Sequence, residues 1–302
     1  MRTHCEGYPP HLTDGVVPSA HHQQHRHRSR WAGVSELGLV VMLYFAYTGS
    51  RLLAARDPRP AVHRARVLLR IEAGLHLDRE HAIVEFFLAH RTIAVLSCYW
   101  YSAAHYLVTP AALYWLYRQG RDAYLPTRRA LLLATLLGLF AYLLFPTAPP
   151  RMLSGYADIL SLHAAAGWWG TDASAPRGLG GLTNELAAFP SLHAGWSLWV
   201  ALAAQRWGRR RITRVAGWAH ALVTGVVVVG TANHWILDVL GGWAVVAIGW
   251  ALTAPARPSR SPTAGRGIVA VHNRSTGAFA DRGFLEPRCG DIEHQARGPA
   301  DG

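Results

Sequence analysis

The sequence contains no lysine, so arginine carries all of its fixed positive charge. Charged residues make up 16% of the 302 residues and hydrophobic residues 51%, whereas ordinary soluble domains contain about 25% charged residues. The apolar residues are concentrated in long runs, which is typical of a polytopic membrane protein. Arginines flank most of these runs, where they anchor a protein to anionic lipid. The net charge of +12 therefore indicates a membrane protein and not one that binds nucleic acid.

Cysteine is also scarce, and Cys5, Cys98 and Cys289 are far apart in the sequence. Their spacing gives no indication of a disulfide framework or a metal cluster. Residues 1–30 lack the apolar core and the small-residue cleavage site of a signal peptide. We therefore expect the first spanning helix to direct membrane insertion.

The apolar runs, taken with their flanking residues, are long enough to cross a bilayer core of about 30 Å. The stretch 61–89 is amphipathic and too charged to span, which predicts one or two helices in the membrane interface. Its acidic residues Glu72 and Glu80 are expected to pair with neighbouring arginines. The sequence thus predicts an all-α membrane helix bundle with about six transmembrane helices and an interfacial amphipathic helix. The predicted spans are 31–54, 92–117, 130–145, 191–207, 212–230 and 235–253.

Composition divides the chain into three regions. Residues 1–30 are basic and rich in histidine, which predicts a disordered tail; metal binding by its histidines is the less favoured alternative. Residues 31–254 form the predicted membrane domain. Residues 255–302 are rich in proline, serine, arginine and glycine, which predicts a disordered C-terminal tail.

The arginines also predict an orientation. The short connections 118–129 and 206–214 are rich in arginine and should be cytoplasmic. Six spans then put both termini in the cytoplasm and the loop 146–188 outside. The connection 51–91 conflicts with this assignment, because it is rich in arginine and falls outside. We predict a multi-pass plasma membrane protein with its active site on the extracytoplasmic face.

Two histidines, His193 and His234, lie where a polar segment gives way to an apolar run. Ionisable side chains are costly in or near hydrocarbon, so their presence there suggests function. Asp238 follows His234 by four residues, which puts both side chains on one face of a helix. Such a carboxylate can accept a hydrogen bond from one imidazole nitrogen and leave the other as a nucleophile or base.

The segments around His193 and after the third predicted span supply groups suited to phosphate. Pro190 suits the first turn of a helix and Ser191 can cap it, and the free N–H groups at a helix N-terminus attract anions. A histidine beside bound phosphate can protonate a leaving oxygen. Arg151 can bind phosphate oxygens through two hydrogen bonds. The predicted topology puts all these groups on the same face of the membrane as the histidine–aspartate pair.

The order of Arg151, Pro190-Ser191-Leu192-His193 and His234-x-x-x-Asp238 resembles the type 2 phosphatidic acid phosphatase superfamily. Its members are six-helix membrane enzymes that act on lipid phosphates through a phosphohistidine. The turns Phe-Pro-Ser-Leu-His and Thr-x-Asn-His are more similar to its inositolphosphoceramide synthase-like branch, the inositolphosphotransferases, which move phosphorylated head groups between lipids. The resemblance covers about 31–253.

By this resemblance His234 is the nucleophile, Asp238 orients it and His193 is the acid for the leaving group. The implied activity is that of a lipid phosphatase or phosphotransferase that needs no metal and no cofactor. It passes a phosphate or a phosphorylated head group from a phospholipid to water or to an alcohol such as inositol or another lipid. The expected substrate-binding residues are Arg151, Ser191, Asn233 and Arg177.

The chain departs from the family pattern at cationic positions. The first motif of the family has a lysine seven residues before its arginine and a proline after it, where this chain has Leu144 and Met152. The third motif has an arginine six residues before the nucleophile, where this chain has Val228. Because a dianionic monoester needs more positive charge than a diester, the loss makes simple monoester hydrolysis less favoured. The candidate substitutes are Arg177, Thr231 and Asn233.

Other interpretations stay open. The histidines can be structural hydrogen-bonded groups at helix ends, and Arg177 an ordinary loop arginine. His105, inside the second predicted span, is expected to be a satisfied intramembrane histidine, with a substrate-site role as its alternative. A haem-binding electron carrier would need histidines that face each other at mid-membrane. A non-catalytic transporter or binding protein of the same fold is consistent with the missing cations.

Overall fold

The computed structural model describes residues 57–170 and 184–253, with isolated helical positions between 38 and 49. Regular structure in these residues is helical, apart from one isolated bridge between Thr147 and Ala187, which confirms the all-α class. The predictions for both tails, for most of 31–54 and for Arg177 lie outside the described residues. The helices are α1 (Arg59–Gly74), α2 (Glu80–Ala89), α3 (Arg91–Gln119), α4 (Arg121–Leu144), α5 (Ile159–Leu162), α6 (Leu192–Trp207), α7 (Arg211–Gly230) and α8 (Ile236–Thr253).

Three helices of the described chain, α4, α7 and α8, are long and apolar enough to cross a membrane. A fourth candidate is the pair α2 and α3, which passes the same test only together and is bent by 114° at the break. Helix α6 has 16 residues, or roughly 24 Å, which is less than the bilayer core. The predicted six spans are therefore not confirmed, and the described residues support three or four.

Helices α1 and α2 occupy the predicted interfacial segment, but their acidic residues do not pair with arginines. Glu72 and Glu80 are completely buried, and each accepts a hydrogen bond from the backbone at the start of α8. The expectation of arginine pairs was wrong, because the N–H groups of a helix start are equally good partners for a carboxylate. The interfacial helices are thereby joined to the bundle.

Helix α4 begins nine residues before the predicted span, because its first turns carry arginines that the apolar run did not include. It packs with α6 and α8 around a core that contains Ala130, Ala134, Trp199 and Val246. The indole N–H of Trp199 donates to the Thr127 carbonyl at 2.7 Å. Small residues in this core let the helix backbones approach closely, as in other membrane bundles.

The start of α6 lies in close contact with the first turns of α8. A Cβ atom on Gly242 would lie 2.1 Å from the Ser191 carbonyl oxygen, and one on Gly195 would lie 2.9 Å from the Gly242 carbonyl oxygen. The Ser191 N–H also donates to the Asp238 carbonyl at 2.8 Å. Glycine at 195 and 242 therefore holds the two histidine-bearing segments side by side.

Candidate active site

His234 lies in the turn just before α8, and its ring is oriented by two acceptors. Its Nδ1 atom is 2.9 Å from the Ala188 carbonyl oxygen and 3.5 Å from Oδ2 of Asp238. Since both partners can only accept, Nδ1 carries the proton and Nε2 keeps its lone pair. The imidazole is thus held in the form that a nucleophile requires.

Asp238 is fully buried in the first turn of α8. Its Oδ2 atom accepts a hydrogen bond of 2.8 Å from the Trp235 N–H, which fixes the carboxylate next to His234. The Ala188 carbonyl is the closer of the two His234 acceptors. Asp238 therefore shares the orienting role that the sequence assigned to it alone.

His193 lies in the first turn of α6, close to His234. The two ring centroids are 5.9 Å apart. The His193 ring stacks on Tyr101, with centroids 4.6 Å apart, and meets the edge of His105 at 4.3 Å. Aromatic contacts on two sides restrict the ring, so His193 and His234 can face one phosphorus atom from different directions.

Arg151 lies in the short helical turn after α4 and reaches the same place. Its backbone N–H donates to the Ala232 carbonyl at 3.0 Å, which ties this turn to the segment before α8. Its Nη1 atom donates to Oδ1 of Asn233 at 2.6 Å, and its Nε atom is 3.7 Å from Oδ2 of Asp158. The guanidinium is therefore fixed next to the turn that carries His234.

The other predicted binding residues hold this arrangement together. Asn233 donates through Nδ2 to the carbonyl oxygen and the hydroxyl of Thr231, at 3.1 and 3.0 Å, while its Oδ1 accepts from Arg151. Ser191 caps α6, with its hydroxyl accepting from the Ala194 N–H at 3.3 Å. The structure brings Arg151, Ser191 and Asn233 to the histidines.

Sequence reasoning missed four partners of this site. The Ala188 carbonyl is a backbone group, which no side-chain pattern reveals. Asp158 is the only acidic residue between 123 and 171, and that isolation near Arg151 was a usable signal. Glu72 and Glu80 were expected to pair with neighbouring arginines. Their partners on α8 are more than 150 positions away in the sequence, and no local pattern points to them.

The N-termini of α8 and α6 differ in charge. Each of the three N–H groups of 235–237 donates to a carboxylate, from Asp238, Glu80 and Glu72 in that order, at 2.8, 3.0 and 2.7 Å. Helix α6 has the neutral Ser191 hydroxyl as its cap. Within the described chain the N–H groups of residues 192 and 193 have no protein acceptor. An anion is therefore favoured at α6 and disfavoured at α8.

A small cavity extends from His193 into the bundle between α3, α6 and α7. Its size is close to that of one water molecule. His105 lines it, so the structure places this histidine beside the site, and its role stays a prediction. Polar or aromatic side chains line most of its wall: Trp100, Tyr101, Thr109, Ser197, His220 and Thr224.

Acidic, histidine and cysteine side chains in the described part of the chain form no group of three or more arranged to hold a metal ion. The functional groups of the site are two imidazoles, one guanidinium and backbone N–H groups. Such groups can bind a phosphoryl oxygen, attack phosphorus and carry a proton.

Comparison with known proteins gives one match. The sequence profile of the PAP2 superfamily matches residues 66–252, which include Arg151, His193 and His234. Neither a curated protein nor a solved structure matches the chain. Members of the superfamily are generally phosphatases, and membership suggests a phosphatase that acts on lipids. Because the profile covers more than half of the sequence and includes the whole histidine–arginine site, the chain belongs to the PAP2 superfamily.

Proposed function

We propose that the chain is an integral membrane lipid phosphotransferase or phosphatase that works through a phosphohistidine at His234. The observation that carries this proposal is the placement of His234 with a free Nε2 beside His193, while Arg151 is fixed next to it. The phospholipid phosphate binds between Arg151 and the N-terminus of α6. The charges of Arg151 and the N–H groups stabilise the transition state without a metal or a cofactor.

The first step transfers phosphorus from the lipid to the enzyme. Nε2 of His234 attacks phosphorus, the bond from phosphorus to the leaving oxygen breaks, and His193 gives that oxygen a proton. In the second step the oxygen of water or an alcohol attacks phosphorus, His193 takes its proton, and the N–P bond breaks. The cycle returns both histidines to their starting protonation states.

The inositolphosphotransferase activity is the finer part of the proposal. Its support is the two turn sequences before His193 and His234, together with the absence of two family cations. Val228 stands at one of these positions, and it is buried in an apolar cluster with Ala194, Val229 and Val239. That surrounding does not accommodate a charge. A site with fewer cations suits a phosphodiester, so transfer of a phosphorylated head group to inositol or another lipid is favoured over monoester hydrolysis.

The membrane placement follows the arginine pattern. We place the active site on the extracytoplasmic face of the plasma membrane, with both termini in the cytoplasm. The three or four spans of the described residues support a membrane protein. The orientation is tested by accessibility of single cysteines engineered at Gly120, between α3 and α4, and into the segment 146–188.

The test of this function uses the purified full chain and His234→Ala in detergent, each given labelled phosphatidic acid and labelled phosphatidylinositol. Free phosphate and transferred head group are followed together. The proposal expects transfer from phosphatidylinositol to an added alcohol, and none with His234→Ala. Phosphate release from phosphatidic acid alone would identify a phosphatase, and turnover that survives in His234→Ala would overturn the mechanism.

The second candidate is a non-catalytic transporter or binding protein of the same fold. The missing cations at Leu144 and Val228 favour it. It predicts that the wild type binds lipid phosphate in the same assay and turns over none of it.

A further inference from the structure

Two buried carboxyl groups lie behind the active site, on helices that take no other part in it. Glu72 ends the interfacial helix α1 and Glu80 begins α2, and both side chains are completely excluded from solvent. Through Oε1, Glu72 accepts from the Leu237 N–H at 2.7 Å and Glu80 accepts from the Ile236 N–H at 3.0 Å. Each therefore uses one oxygen to cap the helix that follows the nucleophile.

The second oxygen of each group has no donor. Oε2 of Glu72 and Oε2 of Glu80 are buried and make no hydrogen bond to the protein when both groups are ionised. The two side chains are within hydrogen-bonding reach of each other. Since an ionised carboxylate can only accept, these oxygens form a hydrogen bond only if one of them carries a proton. One proton then provides both orphaned atoms with a partner.

The surroundings of the pair favour that proton. Asp238 on α8 is close enough to act on Glu72, and the loop groups Tyr156 and Asp78 face the same region. Burial raises the pKa of Glu72 to about 8, against the hydrogen bond from Leu237, and the charges of Glu80 and Asp238 act in the same direction as burial. Burial raises the pKa of Tyr156 to about 12, and the charges of Glu80, Glu72 and Asp78 act in the same direction.

We propose that Glu72 and Glu80 share one proton and, as an acid–carboxylate pair, position the start of α8 and thus the nucleophile His234. The pair joins three separate elements at one point, because α1 and α2 each hold an adjacent N–H of α8. A shared proton also lowers the negative charge near the phosphate by one. The catalytic part of this proposal rests on the proposed function, and the proton sharing does not.

The shared proton is tested by infrared spectroscopy of the full-length protein in detergent. The wild type is expected to show the C=O stretch of a protonated carboxylic acid at neutral pH, and this band should titrate away near pH 8. Glu72→Gln should lack the band. Glu85→Gln, which changes an exposed glutamate on α2, is the matched control and should keep it. A wild type without the band, or a band that persists in Glu72→Gln, would overturn the proposal.

The positioning role is tested by hydrogen exchange and kinetics on the same proteins. Glu72→Ala removes the cap, so the amides of 235–238 should exchange about tenfold faster. Its kcat should fall about 100-fold, since small displacements of a reacting group have that effect, while its KM stays within about threefold. Glu72→Gln can still accept from the Leu237 N–H and donate to Glu80, so it should retain kcat and slow exchange.

The melting temperature of each variant at pH 6 distinguishes a loss of folding from a displacement of the start of α8. If Glu72→Ala does not fold, the kcat of Glu72→Gln and the infrared band test the proposal. If glutamine impairs kcat as much as alanine does, or if only KM changes, the positioning role is wrong. If the wild type shows the band and slow exchange at 235–238 but no turnover, the proposed function fails while the proton sharing and the positioning of α8 stand.

Discussion

Two helices begin at the candidate active site, and the groups that cap their N-termini differ in charge. At α8 three consecutive N–H groups are matched with the carboxylates of Asp238, Glu80 and Glu72. At α6 the Ser191 hydroxyl is the cap, and the N–H groups of residues 192 and 193 have no acceptor in the described chain. The same backbone feature, a positive helix end, is neutralised in one place and left for a ligand in the other.

The difference assigns separate tasks to the two helices. The carboxylates at α8 repel an anion and hold the segment before it, which carries His234, the nucleophile of the proposed mechanism. Helix α6 can attract an anion, and its first turn carries His193, the acid of the proposed mechanism. The two ends are brought together by close backbone contact at Gly195 and Gly242.

The largest effect is expected from removing the positive charge of Arg151. Arg151→Ala should lower kcat/KM about 10³-fold, in line with the loss of one preorganised donor to a transition state. Arg151→Lys should recover only part of this, because an ammonium cannot bind Asn233 and phosphate oxygens in the fork geometry. Initial rates on labelled phospholipid measure both. Equal activity of Arg151→Lys and the wild type would contradict simultaneous hydrogen bonds from Arg151 to Asn233 and to phosphate.

A smaller effect is expected from forcing the two helix ends apart. In Gly242→Ala the new Cβ meets the Ser191 carbonyl, so α6 must shift and kcat should fall about 100-fold. Gly225→Ala is the matched control, since its Cβ meets only ordinary contacts at 3.6 Å. Similar losses in both variants, or none in Gly242→Ala, would show that this contact does not set the distance between the histidines.

The contribution of Asp238 should be moderate. Asp238→Asn removes the charge, but the closer Ala188 carbonyl still holds Nδ1–H of His234. We expect kcat to fall about tenfold, far less than the roughly 10⁴-fold seen where one carboxylate alone fixes a catalytic histidine. Initial rates at saturating lipid measure it. A loss near 10⁴-fold would make Asp238, and not Ala188, the group that sets the tautomer.

The smallest effect is expected in stability. The folded pKa of Glu72 is raised to about 8 from 4.5, so the unfolded chain loses this proton first as pH rises. Wild-type stability should therefore fall between pH 4.5 and about 8 and then level off. Glu72→Gln should lack this component, so its melting temperature should fall less across that range. Thermal unfolding monitored in detergent at several pH values measures it, and parallel curves would contradict the raised pKa.

The sequence was most informative where side chains repeat a recognisable spacing. Four-residue spacing predicted His234 and Asp238 on one face of a helix, and the two side chains do meet, although His234 lies in the turn before α8 and not in the helix. The helix-start pattern before His193 predicted the Ser191 cap. Span counts were less secure, since α6 is shorter than the membrane core. The part of the site that the sequence did not predict depends on backbone acceptors and on distant contacts. Glu72 meets Leu237 across 165 positions, and no local pattern encodes such a contact.

The most direct test of the account is to trap the covalent intermediate. Wild type and His193→Ala would be incubated briefly with phospholipid labelled at phosphorus, quenched in base, which preserves phosphohistidine, and digested for peptide mapping. We expect label on the peptide that contains His234, slower labelling in His193→Ala because its leaving group lacks an acid, and no label in His234→Ala. Turnover by the wild type with no label at His234, or label that persists in His234→Ala, would contradict the central claim.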